Sequence, residues 1–178
     1  MPYSIGLYFD PKTESMVRKI WKQLADLHLA EYFYVSGNRP HITLGIFNVE
    51  NTDIVKSELE MISRTKKAFS ISFQHIGLFQ SSTNAVFWGP VVTQEFLEFH
   101  SAFYSRILST GATTESNYYT PGNLVPHCGL AMDVEDKQLI PQIIDICQPL
   151  PNPHNALATE IGMLKIRPVE HLFSFTFK

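Results

Sequence analysis

Cysteine is scarce in this chain: Cys128 and Cys147 are the only two among 178 residues. Two cysteines build no disulfide framework, and the pattern suits a reducing, cytoplasmic setting. An excess of one charge sign is also lacking. Fourteen Lys and Arg stand against seventeen Asp and Glu, giving a net charge of −3 and a pI near 6.1. No basic surface for long duplex DNA is therefore expected, although a local groove for a short nucleotide stays open. No apolar run approaches the ~20 residues that span a bilayer. The N-terminal Met1-Pro2-Tyr3-Ser4-Ile5 has no basic lead, and its apolar stretch breaks at Asp10-Pro11, so a signal peptide is not expected. The nine glycines do not gather into a phosphate loop, and no H-x-x-x-H, C-x-x-C or H-E-x-x-H occurs. Neither a metal nor a cofactor is expected.

What is present supplies a core. Hydrophobic residues make up 44% and charged residues 17%, well on the folded side of the balance. The length fits one domain, residues 1–178, or two small lobes sharing a core. Tyr3, Ile5, Leu7 and Phe9 alternate with smaller or polar residues and predict a strand. Asp10-Pro11 caps a helix running to about Ala30. Tyr32–Val35 reads as a short strand, Ser36-Gly37-Asn38 as a turn, and 41–49 as the next strand. A second helix starts at Asn51 or Thr52 and runs to about Lys67. Phe69 to Phe79 and Ala85 to Val91 form a hairpin around Ser81-Ser82-Thr83-Asn84, and a third helix runs from Thr93 to Gly111. Residues 110–126 are a polar loop, 127–132 a strand and 136–147 a helix. Residues 158–166 and 171–177 make a closing strand pair with Phe173, Phe175 and Phe177 on its core face. Helices mixed with hairpin-linked strands predict an α+β protein with antiparallel sheet.

Two Pro-His pairs head two of these strands, one in each half of the chain: Pro40-His41-Ile42-Thr43-Leu44 and Pro126-His127-Cys128-Gly129-Leu130. Side chains two apart share a strand face. His41 therefore points with Thr43, and His127 with Gly129, while Cys128 faces away. Two imidazoles delivered by similar strands make a natural acid/base pair, because histidine can give or take a proton near neutral pH. From the residues alone, the alternative reading of His127 is a core or strand-end histidine beside a free thiol. His28 and His100 fall on apolar helix faces and read as packing, His75 ends an apolar strand face from which it could approach the groove, and His154 and His171 join no constellation. Tyr8, Phe9, Phe79, Trp88 and Tyr119 are aromatics able to stack on a base.

These motifs resemble the two-histidine (2H) phosphoesterases, the 2′-5′ RNA ligase-like family, whose members carry an H-x-T/S motif on a strand in each of two pseudo-symmetric lobes. His41-Ile42-Thr43 fits that pattern. The stretch from Ile71 to Trp88 and the tail from Ile161 to Phe177 are also similar to the family. His127-Cys128-Gly129 departs, with Gly where Thr or Ser is usual, and Met132 stands where many members carry a basic residue. A water, Tyr118, Tyr119 or Thr120 is expected to fill the gap. The resemblance implies antiparallel sheets flanking a central groove, with helices outside. It implies a metal-independent phosphodiesterase acting on a ribose 2′,3′-cyclic phosphate or a 2′-5′ phosphodiester, on a small nucleotide or an RNA end. His41 and His127 would be catalytic. Thr43, Gly129, Tyr119 and Trp88 would bind substrate or phosphate. The rival reading is a nucleotide-binding module of the same fold with weak or lost turnover.

Overall fold

The computed structural model describes residues 2–80 and 84–178. Its elements run β1 (Pro2–Phe9), α1 (Pro11–Asp26), α2 (Tyr32–Val35), β2 (His41–Asn48), α3 (Thr52–Thr65), β3 (Phe69–Phe79), β4 (Ala85–Pro90), α4 (Gln94–Ser109), β5 (Thr113–Thr114), β6 (Cys128–Ala131), α5 (Ile140–Cys147), β7 (His154–Lys165) and β8 (Glu170–Thr176). The expected turn at Ser81-Ser82-Thr83 lies outside the described residues. The protein is an α+β fold of helices and antiparallel sheet.

All strand pairings are antiparallel. The order is β1-β2-β6-β4-β3-β7-β8, β1 also pairs with β7, and β5 hangs on β2. The two expected half-sheets are thus hydrogen-bonded into one ring. One half contains β1, β2, β7 and β8; the other contains β3, β4 and β6. β7 straps them together. Its first residues, His154–Ala158, pair with β3, and from Ala158 onward it pairs with β1 and β8. This double duty starts β7 four residues earlier than the sequence pattern suggested. Helices α3 and α4 touch the first half, α5 touches β4, and α1 touches both β1 and β6. One apolar core joins them, with Ile5, Leu7, Leu24, Ile42, Leu44, Leu59, Phe73 and Ile161 fully buried.

Local chemistry sets the boundaries. The Asp10 carboxylate accepts from the Thr13 backbone N–H at 3.0 Å and caps α1. That helix stops at Asp26, before the expected Ala30, because His28 takes a left-handed backbone conformation with φ 55°. Tyr32–Val35 is a helical turn, not a strand. The Val35 and Ser36 N–H groups donate to the Glu31 and Tyr32 carbonyls. Strand propensity loses here to packing: Phe33 stacks on Trp21 with ring centroids 5.0 Å apart. The 110–126 loop is broken by β5, which pairs with Phe47 and Asn48 of β2. The helix expected at 136–147 begins as a tighter turn over Lys137–Leu139.

Candidate active site

The Pro-His pairs share a local geometry. His41 Nδ1 lies 2.6 Å from the Arg39 carbonyl, and His127 Nδ1 lies 2.7 Å from the Val125 carbonyl. Each acceptor belongs to the residue before proline, which proline keeps extended. Each imidazole therefore donates Nδ1–H to a carbonyl two residues back. In the neutral ring this leaves the Nε2 lone pair unprotonated, ready to take a proton.

The two motif strands meet edge to edge. Ile42 pairs with Cys128, and both are fully buried. Antiparallel pairing then sets His41 opposite Gly129 and Thr43 opposite His127, on the face away from the Ile42–Cys128 pair. Diagonal neighbours in such a pair lie about 7–8 Å apart, somewhat less at Cβ, close enough for both rings to reach one phosphorus-sized group. A cavity of ≈150 Å³ opens there, lined by His41, Thr43, Asn38, Tyr119, His127 and Gly129, among others. Ile46 joins the lining because the register shifts between Ile5 and Gly6 opposite it, so β2 changes phase between Leu44 and Gly45. Gly6 lets the His41 ring lie against β1: a Cβ there would meet His41 Cδ2 at 3.0 Å.

Burial dominates the electrostatics. Desolvation pushes the His41 imidazole down from 6.5 to about 4, with smaller contributions from the charges of His127, His171 and Arg39; the Arg39 carbonyl opposes them. Burial also lowers His127. Among the described residues no Lys or Arg lines the cavity. Arg39 is turned aside: its guanidinium bonds Glu14 at 2.6 Å and Glu160 at 3.0 and 3.2 Å, and it lies 4.3 Å over the Tyr8 ring. Its carbonyl still serves His41. Burial pushes the Cys128 thiol up to about 12, which disarms it as a nucleophile. No group of three or more His, Cys, Asp or Glu among the described residues is placed to hold a metal ion. Among those residues no helix is long and apolar enough to cross a membrane.

A model of the 2′-5′ RNA ligase superfamily matches residues 13–169, well over half of the chain. The chain belongs to the 2′-5′ RNA ligase superfamily. Solved structures agree in fold. A phosphoesterase structure matches with a TM-score of 0.60 at 15% identity, covering 99% of this chain and 97% of that one. Escherichia coli LigT complexed with 3′-AMP matches at 0.60 and 14%, covering 100% and 99%. TT0787 of Thermus thermophilus matches at 0.59 and 13%, covering 99% and 98%. No curated protein matches the chain.

Within this superfamily member the sequence-level candidates separate. His41, Thr43, His127, Gly129 and Tyr119 all line the cavity. Trp88 does not. It pairs with Cys128, so it shares the buried face and stacks between Phe73 and His154 in the core. Phe9 is core as well, whereas Tyr8 packs beside His41 at 5.9 Å and Phe79 edges His127 at 4.8 Å. Of the three loop residues expected at the gap beside Gly129, Tyr119 lines the cavity with it and the other two do not. Tyr118 is exposed, and Thr120 bonds within its own turn. Phe33 fills the gap: a Cβ on Gly129 would collide with Phe33 Cζ. Phe33, Asn38 and Trp21 were missed by the sequence reading, as was His171, whose charge acts on His41. Only the turn signal at Ser36-Gly37-Asn38 hinted at this wall.

Proposed function

We propose that residues 1–178 act as one two-lobed, metal-independent phosphodiesterase on a ribose 2′,3′-cyclic phosphate or a 2′-5′ phosphodiester, carried by a nucleotide or an RNA end in a cytoplasmic setting. The observation that carries this reading is the matched pair of imidazoles. Both Nδ1 atoms are committed to pre-proline carbonyls, and both rings line one cavity together with Thr43. In hydrolysis of a cyclic phosphate, one Nε2 takes a proton from the attacking water. The new P–O bond forms as the ribose P–O bond opposite it breaks. The second imidazole, protonated at Nε2, gives its proton to the departing ribose oxygen. The two rings finish with their protonation exchanged. Thr43 would donate to a non-bridging oxygen, and Tyr119 would flank the nucleoside. LigT, which shares the fold, has been solved with 3′-AMP, NADP+, ATP and phosphate, which supports a nucleotide-sized ligand.

The test is phosphorus NMR of 2′,3′-cyclic mononucleotides with the protein in EDTA, alongside His41→Ala. Opening to a single monophosphate, lost in the variant, is expected. Unchanged turnover in the variant would overturn the assignment.

One observation favours the second reading, a nucleotide-binding module with little turnover. Phe33 covers the place of a second phosphate-binding hydroxyl, and among the described residues the lining offers no cation. Tight mononucleotide binding with no product would decide for it.

A further inference from the structure

Most of the cavity wall around the histidines is apolar: Trp21, Phe33, Ile46, Met132, Leu164 and Ile166. Against that wall one polar group has no partner. Asn38 is 7% exposed and lines the cavity, and its buried side-chain Oδ1 has no hydrogen bond among the described residues. Its backbone is held in place, the carbonyl accepting from Arg18 at 3.4 Å, so the residue is anchored from behind. Three residues later the chain reaches His41. An unpaired buried acceptor is costly, and such groups are kept where a ligand completes them.

We infer that Asn38 reads the hydroxyl beside the phosphate of the ligand, accepting a hydrogen bond from it at Oδ1. The inference rests on the proposed function and deepens it. An acceptor needs a donor. The five-membered phosphate ring of a cyclic nucleotide has none beside phosphorus, because its non-bridging oxygens only accept and both the 2′ and 3′ oxygens are esterified. A ribose whose phosphate occupies one oxygen and whose neighbouring oxygen is free supplies a donor one carbon away. That is the arrangement of a 2′-5′ phosphodiester and of the monophosphate formed when a cyclic phosphate opens. Asn38 therefore favours the open, hydroxyl-bearing ligand over the cyclic one. It adds specificity at a site whose second phosphate hydroxyl is replaced by Phe33.

The experiment is binding, followed by the fluorescence of Trp21, of adenosine 2′-monophosphate, its 3′-deoxy analogue and inorganic phosphate. It compares wild type, Asn38→Ala and Asn38→Asp, with thermal melts to confirm folding. Wild type should prefer the hydroxyl-bearing nucleotide about tenfold over the deoxy analogue. Asn38→Ala should erase that preference. Asn38→Asp, which keeps an acceptor, should retain it, although the added charge weakens binding of both nucleotides alike. Equal affinity of the two nucleotides for wild type overturns the role of Asn38 alone. A preference that survives in Asn38→Ala does the same. Binding of neither nucleotide overturns the ribose-phosphate reading itself. Should Asn38→Ala fail to fold, Asn38→Asp decides: loss of the preference in that variant would place the amide N–H, not Oδ1, on the ligand.

Discussion

Phe33 Cζ occupies the space that a Cβ on Gly129 would need. The two residues are coupled: the ring can sit there only because position 129 has no side chain. Restoring a hydroxyl with Gly129→Ser should thus cost about 1–3 kcal/mol, the usual penalty of overpacking. Phe33 cannot swing freely, since it stacks on Trp21. The double variant Gly129→Ser/Phe33→Ala should recover part of that stability and raise turnover of a cyclic phosphate above wild type. Urea denaturation and initial rates check both halves. Additive effects on stability would show that the two positions are independent.

This pair also marks how far the sequence could be read. The Pro-His repeats, the alternation at His41-Ile42-Thr43 and the helix cap at Asp10 are local chemistry, so the two strands and their site-facing residues were legible. What joined them was not. Ile42 meeting Cys128 and Cys128 meeting Trp88 are long-range pairings, and together they decide that Trp88 lies behind the site and Phe87 on its face. Phe33 sits on a four-residue turn whose aromatic composition favours a strand by propensity, so packing on Trp21 overrode the local signal. The phase change in β2 left only Gly45 as a trace, and an isolated glycine in a strand is ambiguous.

Replacing either imidazole should remove catalysis without unfolding the protein. His41→Ala and His127→Ala should each lower kcat by about 10²–10⁴-fold, the range for general acid–base groups. The double variant should be little worse than either single one, because the two act in one proton circuit. Thr43→Val should lower kcat by about 10²-fold or less, as one neutral donor to developing phosphate charge. Steady-state kinetics with matched thermal melts check this. Full activity in His127→Ala would return that residue to a strand-end role.

The Arg39 clamp positions His41 from outside the cavity. Arg39 ties α1, β2 and β7 together through Glu14 and Glu160, while its own carbonyl holds His41 Nδ1–H. Arg39→Met should leave two carboxylates partly buried without their cation and cost about 3 kcal/mol. It should also lower kcat more than it raises KM, since substrate does not touch the guanidinium. Glu160→Gln keeps a neutral hydrogen bond and should be milder. Val125, the counterpart of Arg39 behind His127, is exposed and has no such clamp, so Val125→Ala should change kcat little. Thermal melts and steady-state kinetics on the three variants check the clamp.

The pH dependence follows from the half-buried imidazoles. Catalysis needs one ring neutral and one protonated, so the active fraction peaks between the two titrations of the pair. Burial lowers both, His41 to about 4, with Arg39 and His171 adding to the push on His41. In the free enzyme the peak of kcat/KM should fall on the acid side of 6.5. It should decline as pH rises through the higher of the two titrations, because the proton for the leaving oxygen is then lost. An anionic substrate stabilises the imidazolium and raises both values, so kcat should peak at a higher pH than kcat/KM. Stability runs by the same linkage. A histidine lowered in the folded state takes its proton first in the unfolded chain, so stability held above 6.5 is lost as pH falls toward 4. His41→Gln, which cannot titrate, should reduce that loss, the remainder coming from His100, His127 and His154, which burial also lowers. Proton NMR titration of the imidazoles with and without phosphate, set beside the two rate profiles, tests the whole chain of reasoning; a His41 resonance titrating near 6.5 in the free protein would break it.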